Sequence, residues 1–375
     1  MRSISRPAVL VQRSAVAGNG GTIGPRLAVL IVLTQRQRIK RFRSGTFATM
    51  KNQLMTAAVY SRYGSPEVIS IAQVVKPEPK PNEVLIRIHA TTVTSGDVRM
   101  RKADPFLIRF FSGLFTPKAP ILGHELAGVV EAVGDTVTRF KVGDRVFGST
   151  GMRSGTHAEY ICVAEDAAIA HTPDNLAHGE AATLAVGALT ALHFIHAAAL
   201  QRGEHILIHG ASGSIGSAAV QLARAMGATV TAVCSTANVE LMRTLGADHV
   251  IDYTKQDFTK SDHTYDVIFS TVGRTSYAAS KHRLADKGRY VTSAAAGSDY
   301  RHMLTSKLFG GHKVIGGVSN AGASGIARIR ELVNAGRLKA VIDRHFTLKS
   351  IAEAHRYVDQ GHKRGNVVID VADLA

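Results

Sequence analysis

The chain has 375 residues, enough for two domains with a sizeable core. Hydrophobic residues make up 45% and charged residues 20%, which is ordinary for a globular enzyme, and no apolar run reaches the roughly 18–20 residues that span a bilayer. The net charge of +16 includes nine charges in residues 1–50, and the remaining 36 basic and 29 acidic residues leave only +7. Because no basic block is mixed with aromatic residues, the charge argues against nucleic acid as the partner.

Residues 1–50 are rich in Arg, contain Ser and Thr, and lack acidic residues. This composition fits either a mitochondrial transit peptide or an over-long gene start, with translation beginning at Met50 or Met55. The second interpretation is favoured because the folded pattern begins abruptly at Met55, and it places the protein in the cytoplasm. With only two cysteines, Cys162 and Cys234, a disulfide framework is not expected.

Residues 51–172 contain short alternating or apolar segments separated by glycine and proline turns, a pattern that predicts a β-rich domain. Residues 173–311 begin with a long Ala- and Leu-rich segment of helical spacing and continue as alternating strands and helices. Two of these helices stop at Gly227 and Gly246, which suit left-handed caps. The alternation predicts a doubly wound parallel sheet covered on both faces.

A glycine-rich turn follows the predicted strand that ends at His209, and a helix begins after it. Gly213 would let the backbone approach a pyrophosphate, and Gly216 would let the helix pack closely on the strand. The N–H groups at the start of the helix would receive the anion. This context predicts a dinucleotide site formed by Gly210, Ser212, Gly213, Ser214, Ile215 and Gly216.

The strand that follows this helix indicates which dinucleotide binds. A site for NAD usually places an acidic residue here to bind the ribose 2′-OH, whereas this turn offers Ser235 and Thr236 and no acid. A carboxylate would repel a 2′-phosphate, while hydroxyl groups can donate to it, so NADPH is predicted. Tyr253 could supply a further donor. Both hydroxyl residues could also cap the helix that starts near Asn238.

Four motifs in order, GHELAGVVEAVG, VGDRV, GASGSIG and LGADHVIDY, resemble the medium-chain dehydrogenase/reductase superfamily and, within it, the zinc-free quinone oxidoreductase branch. The resemblance covers about residues 55–372. It implies an α/β protein with a Rossmann-type domain at 173–311 and a GroES-like catalytic domain at 51–172, completed by 312–375. It also implies NADPH-dependent reduction of quinones or α,β-unsaturated carbonyls as small-molecule substrates. Dimers are common in the family, so a homodimer is one expected state.

Zinc-dependent members of the superfamily bind their catalytic metal through Cys, His and a second Cys or acid. His124 matches the His, but the loop at 91–101, where the first Cys would lie, holds neither Cys nor His. No metal is therefore predicted, and His124 and Glu125 are expected to satisfy buried polar groups beneath the cofactor cleft. A zinc-dependent alcohol dehydrogenase stays the rival enzyme. An NADPH-binding protein with a structural or RNA-binding role is the rival from another class.

Without a Lewis acid, a quinone or enone is an easier acceptor than a simple carbonyl, because the charge spreads over an enolate or hydroquinone oxygen. The expected donors to that oxygen lie in the loop at 91–101. Related quinone reductases usually read Asn-Pro-x-Asp there. Here Thr94-Ser95 replaces Asn-Pro, and the matching Asp97 is expected to pair with an arginine. The candidate donors are Thr94, Ser95, Arg99 and Arg101.

The C-terminal stretch QGHKRGNVVID also matches the family. In relatives, the backbone and basic side chains before the last strand close over the cofactor. The resemblance therefore implies contacts to NADPH from His362, Lys363 and Arg364.

Overall fold

The computed structural model describes residues 53–295, 297–309, 311–319 and 322–371, so the predicted extension at 1–50 lies outside the described residues. Fifteen strands occur in this part of the chain: β1 Leu54–Tyr60, β2 Ile69–Val75, β3 Glu83–Val93, β4 Glu125–Val133, β5 Arg145–Ser149, β6 Tyr160–Ala164, β7 Ala168–His171, β8 His205–His209, β9 Thr229–Cys234, β10 His249–Asp252, β11 Tyr265–Ser270, β12 Leu284–Thr292, β13 Lys313–Gly316, β14 Ile342–Thr347 and β15 Asn366–Asp370. The α-helices of the same part are α1 Ser95–Lys102, α2 Ile108–Ser112, α3 His178–Ala182, α4 Val186–Ala197, α5 Ser214–Ala225, α6 Val239–Thr244, α7 Tyr277–Ser280, α8 Ser298–Phe309, α9 Gly322–Asn334 and α10 Ile351–Asp359.

The N-terminal half forms the predicted β-rich domain around β3. This strand pairs antiparallel with β4, β6 and β15, and the main sheet runs in the order β14-β15-β3-β4-β5-β7. β1 and β2 form a separate antiparallel pair. Because β14 and β15 come from the end of the chain, the C-terminal segment completes this domain as predicted.

The second domain is a six-stranded parallel sheet in the order β10-β9-β8-β11-β12-β13. The chain starts at β8 in the middle, winds outward to β10, and then crosses back to β11 on the other side. This reversal between β8 and β11 is the switch point where such sheets bind dinucleotides. The predicted doubly wound fold is confirmed, and Gly227 and Gly246 have the left-handed conformation expected at helix ends, with φ of 82° and 97°.

Two elements lie across the boundaries predicted at residues 172 and 311. β13 pairs with β12, so the Rossmann-type sheet extends beyond residue 311. At the other end, α3 packs on β3, β4 and β5 of the catalytic sheet, while α4 packs on α5. β13 and α3 carry ordinary apolar patterns, and such a pattern does not show which of the two sheets an element packs against.

The Ala- and Leu-rich stretch after residue 173 forms two helices, α3 and α4, with a break between Ala182 and Val186. The stretch 178–197 is long and apolar enough to cross a membrane, but 67% of its apolar part is buried inside the molecule, as in the core helix of a globular protein. The break places the start of α4 at the junction of the two domains, where the Val186 N–H meets Glu125 of β4.

Candidate cofactor and active site

The glycine-rich turn joins β8 to α5 at the carboxyl edge of the parallel sheet. Gly210 has φ of 81°, a left-handed conformation that favours glycine, and a Cβ at Gly216 would lie 2.3 Å from the Gly210 carbonyl oxygen. Gly213 has φ of −78°, and the one atom that a Cβ there would meet within 4 Å is the Gly210 oxygen, at 3.6 Å. Of these two glycines, the one in the left-handed conformation is Gly210. The space in front of Gly213, at the start of α5, is open to a phosphate.

The C-terminal loop at 361–365 lies directly beside this turn. Gly213 forms a parallel bridge with Gly365, whose N–H donates to the Ser212 carbonyl at 2.7 Å. The chain thus brings the basic stretch that precedes β15 to the phosphate end of the turn, although the two are about 150 residues apart in sequence.

The three basic side chains of the loop point in different directions. His362 and Arg364 are exposed, and the Arg364 backbone N–H donates to Asp343 at 2.9 Å. The Lys363 ammonium instead donates to the Gly365 carbonyl at 2.5 Å and faces the Glu125 carboxyl. Burial lowers the pKa of Lys363 to about 8, although both nearby carboxyl groups raise it. Lys363 is therefore turned inward, and His362 and Arg364 are the residues of the loop that are free to reach a ligand.

A groove of about 740 Å³ opens at the same edge of the sheet, between the ends of β8, β9, β10 and β11. His209 lines it, and the Nδ1 atom of this ring is buried without a partner in the described part of the chain. Burial, together with the nearby Arg274, lowers the pKa of His209, so the ring is neutral and one nitrogen can accept a hydrogen bond. A groove with an orphaned acceptor beside the switch point fits the adenosine half of a dinucleotide.

Arg274 is a groove residue that the sequence analysis missed. It follows β11, it is exposed, and its Nη2 lies 3.7 Å from where a Cβ of Gly361 would be. The guanidinium therefore stands between the groove and the C-terminal loop, where an anionic ligand would meet it. The sequence did contain a signal for Arg274, because it is a basic residue in the loop that follows a predicted parallel strand. The carboxyl ends of such strands share one edge of the sheet, so residues after them lie near the same groove.

At the end of β9, Ser235 accepts a hydrogen bond from Asn238 at 3.0 Å, which leaves the Ser235 hydroxyl proton free to donate. Thr236 donates to the Asp252 carboxylate at 2.6 Å, so its only proton is engaged. Lys255 lies on the neighbouring turn with Nζ 3.6 Å from Asp252. The turn after β9 has no acidic or basic residue of its own. The neighbouring parallel strand β10 places an acid there, Asp252, and the turn after β10 places a base, Lys255.

The loop predicted to hold the catalytic donors forms the capped start of α1. The Thr94 hydroxyl donates to Asp97 at 2.6 Å and accepts from the Asp97 backbone N–H, which is a helix-capping arrangement. The other Asp97 oxygen accepts from the Gly123 N–H at 2.9 Å and lies 3.7 Å from His124 Nε2. Because a hydroxyl has a single proton, Thr94 serves as a cap here and not as a donor to substrate.

Asp97 does not pair with an arginine, so that prediction is wrong. Burial raises the pKa of Asp97, but the imidazoles of His124 and His157 and the Thr94 hydrogen bond outweigh burial and hold it below its usual value. Arg101 is instead fully buried. Its guanidinium donates to the Gly64 carbonyl at 2.9 Å and to the carboxylate of Asp359, a residue of α10, at 2.8 Å.

Ser95 and Arg99 are both exposed on the first turns of α1. Of the four candidate donors in the loop, these two are the exposed ones. Arg101 cannot do so, because its guanidinium has no solvent-accessible surface and is engaged with α10.

Glu125 is fully buried at the start of β4 and joins the two domains. Its carboxyl accepts hydrogen bonds from the Thr92 hydroxyl and from the Val186 N–H, the first N–H group of α4. Burial raises the pKa of Glu125 to about 7, against these hydrogen bonds, which favour the charged form. The expectation that Glu125 satisfies buried polar groups is met by this geometry, and it explains why α4 begins at Val186.

The residues around His124 do not fit a catalytic zinc ion. His124 faces Asp97, which is already held by two backbone N–H groups and the Thr94 hydroxyl. Both cysteines are buried on other strands, and burial raises the pKa of Cys162 to about 12 and that of Cys234 to about 11, which opposes the thiolate that a metal needs. Among the residues that the structure describes, no group of three or more His, Cys, Asp or Glu side chains is arranged around a common point.

Comparison with known proteins identifies the family of the chain. A family model described as an alcohol dehydrogenase GroES-like domain matches residues 80–174, and one described as a zinc-binding dehydrogenase matches 245–369. The chain is 32% identical to NAD(P)H oxidoreductase RTN4IP1, mitochondrial, of Mus musculus over 88% of this chain and 92% of the relative. It is 31% identical to 2-methylene-furan-3-one reductase of Solanum lycopersicum over 84% of this chain and 79% of the relative. Among solved structures, the quinone oxidoreductase of Coxiella burnetii superposes with a TM-score of 0.78 at 28% identity, over 85% of this chain and all of that chain.

Proposed function

Since this chain belongs to the quinone oxidoreductase-like branch of the medium-chain dehydrogenase/reductase superfamily, we propose that it reduces a quinone or an α,β-unsaturated carbonyl with NADPH, without a bound metal. The oxidoreductase class and a nicotinamide cofactor follow from the family. One observation carries the narrower proposal. Beside a glycine-rich turn at Gly213 that could hold a dinucleotide, His124 has, among the residues that the structure describes, no set of partners with which to bind a Lewis acid.

The chemistry follows from what the chain can and cannot supply. When bound, the reduced nicotinamide supplies a hydride to a carbon of the acceptor, and an electron pair moves onto the acceptor oxygen. Ser95 and Arg99 are exposed donors that can hydrogen-bond this developing oxyanion. A conjugated acceptor delocalises the charge, so two hydrogen bonds suffice where a simple carbonyl would need a metal. The enolate or hydroquinone anion then takes a proton from water, which completes the two-electron reduction, while Ser95 and Arg99 hold the oxygen through hydrogen bonds.

The choice of NADPH over NADH is supported by the side chains around the end of β9. Ser235 has a free hydroxyl proton, Tyr253 is 49% exposed on the groove, and Lys255 brings a positive charge. Asp252 lies close by, but it is largely buried and its oxygens already accept from Thr236 and Thr254. The Asp252 carboxylate is therefore already engaged in hydrogen bonds, and Ser235, Tyr253 and Lys255 are the donors that can hold a 2′-phosphate.

An NADPH-oxidation screen over quinones, enones and aldehydes tests this function. Purified protein, stripped with a chelator and checked by metal analysis, should oxidise NADPH with quinones or enones and show little rate with simple aldehydes. NADH should support a lower kcat/KM. Activity confined to aldehydes or alcohols that is lost to the chelator and restored by zinc would contradict the proposal and favour an alcohol dehydrogenase.

Two cellular locations correspond to the two interpretations of residues 1–50, and that segment lies outside the described residues. The relative named mitochondrial supports a transit peptide, whereas the abrupt start of the fold supports a cytoplasmic protein that begins at Met50 or Met55. A fluorescent protein fused behind residues 1–50 separates them. Import into mitochondria assigns the first location, and a diffuse signal assigns the second.

A further inference from the structure

The Asp97 carboxylate at the start of α1 is a buried anion that forms no ion pair with a lysine or arginine in the described part of the chain. It accepts hydrogen bonds from the Thr94 N–H at 2.8 Å, the Thr94 hydroxyl at 2.6 Å and the Gly123 N–H at 2.9 Å. These donors are neutral, so they fix the carboxylate in place but leave its charge uncompensated. Because a buried charge is costly unless it is paired, a cation is expected beside Asp97.

Three imidazole rings surround this carboxylate, and one of them can supply the cation. Burial lowers the pKa of His355 to about 3 and also lowers that of His157, so both of these rings are neutral. His124 differs, because 15% of its side chain is exposed and its Nε2 atom lies 3.7 Å from Asp97 Oδ1. Its Nδ1 atom is buried, whereas Nε2 is not. The titratable groups that face His124 are Asp97 of α1 and the neutral His157, which precedes β6. A proton on His124 therefore supplies the charge that Asp97 lacks, and this proton can exchange with solvent.

His124 lies between the cofactor turn and the exposed donors of α1. The next residue, Glu125, accepts a hydrogen bond from the first N–H group of α4. This helix touches the cofactor turn, since a Cβ at Gly187 would overlap the Ser214 hydroxyl. On its other side the ring meets the carboxylate that holds the first turn of α1, which carries Ser95. A cofactor on the turn and an acceptor oxygen held by Ser95 would therefore have His124 beside them.

We propose that His124 transfers the proton of the reaction and that Asp97 is its positioning residue. The inference rests on the proposed function, in which water is the source of this proton. After reduction of the acceptor carbon, the Nε2–H bond of the protonated ring breaks and an O–H bond forms on the acceptor oxygen. The ring, left neutral, takes a new proton from water, so one solvent proton is consumed for each acceptor reduced. The Asp97 carboxylate stabilises the protonated ring before the transfer and fixes its orientation.

His124→Gln tests the transfer, because glutamine keeps a polar side chain but cannot carry the proton. Its kcat with a benzoquinone should fall by about a hundredfold, while KM, the NADPH affinity measured by fluorescence and the melting temperature stay near those of the parent. The parent kcat should fall as the pH rises and the ring loses its proton, and the variant should show no such fall. Added imidazole should restore part of the kcat of His124→Ala. The matched control is His171→Gln, which removes a histidine paired with Asp144 at 3.0 Å in the same domain and should keep the parent kcat and pH profile.

A second measurement needs neither cofactor nor substrate. NMR of the ring nitrogens should show His124 taking up a proton as the pH falls from about 8 to about 5, and in Asp97→Asn this should happen at a lower pH. Thermal melting shows whether Asp97→Asn, which also alters the cap of α1, is folded. If it is not, His124→Gln and the imidazole rescue decide the matter.

Four outcomes would overturn the proton transfer by His124. The ring stays neutral over the whole pH range, or His124→Gln keeps the parent kcat and pH profile. A raised KM with an unchanged kcat would mean that His124 only binds the acceptor. Stoichiometric zinc that is lost in His124→Gln would make the ring a metal ligand. These results leave the proposed function standing if the parent protein oxidises NADPH with quinones or enones without metal, whereas a parent that reduces none of them overturns both.

Discussion

Glu125→Gln is expected to stabilise the protein at alkaline pH. The Glu125 carboxyl is fully buried and its pKa is raised from 4.5 to about 7, chiefly by burial. Between these two values the unfolded chain has released the proton that the folded chain still holds. The stability that this group contributes is therefore full below about pH 4.5 and is lost as the pH rises to about 7.

The size of the effect follows from the same two values. At about 1.4 kcal/mol per pH unit, the difference between 4.5 and about 7 corresponds to about 3 kcal/mol of lost stability above pH 7. The start of α4, whose first N–H group donates to Glu125, favours a carboxylate by about 0.3–2 kcal/mol. A net gain of about 1–3 kcal/mol is left for the variant. Glutamine is neutral and can keep both contacts, accepting from Val186 and donating to the Thr92 oxygen.

Urea unfolding of the parent and variant at about pH 5 and about pH 8 measures this difference. The variant should be more stable at the higher pH and nearly equal to the parent at the lower one. Glu131→Gln is the matched control on the same strand, because Glu131 is exposed and pairs with Lys76, so its loss should cost at most about 1 kcal/mol. If Glu125→Gln loses stability at the higher pH, the ionised Glu125 carboxylate is stabilising there, through Lys363 and the start of α4, and the assignment of a raised pKa is refuted.

Three further changes test the cofactor site and the frame that holds it. Gly213→Val should abolish NADPH binding, measured by fluorescence, with a nearly unchanged melting temperature, because the valine side chain would fill the phosphate space. Gly216→Val should unfold more easily, because a Cβ there meets backbone at 2.3 Å. If Gly213→Val binds NADPH with unchanged affinity, the turn is not the phosphate site. Lys255→Ala should weaken NADPH by about tenfold while leaving NADH unchanged, as fluorescence titration can show, and an equal loss for both cofactors would count against a 2′-phosphate contact. Asp359→Asn should cost about 3–5 kcal/mol in urea unfolding, since it leaves the buried Arg101 charge without its anionic partner, and a loss under about 1 kcal/mol would mean that this pair is not a buried ion pair.

Local patterns in the sequence were sufficient for the fold class and for the position of the glycine-rich turn between β8 and α5. The alternation of apolar strands and helices after residue 173 determined the parallel sheet, and the spacing of Gly210, Gly213 and Gly216 determined where its dinucleotide turn lies. Gly227 and Gly246 marked helix ends correctly, because a left-handed residue is a property of the local backbone.

The tertiary structure decided which side chains meet. Asp97 was expected to pair with an arginine two or four residues away, but the fold brings Gly123 and His124 to it and sends Arg101 to α10. Lys255 and Arg274 reach the cofactor edge because they follow strands that run parallel to β9 and β8. Contacts of this kind depend on strand order and on the register of distant segments. A periodic pattern records only which face of its own element is buried, so it holds no information about the partner on the other side.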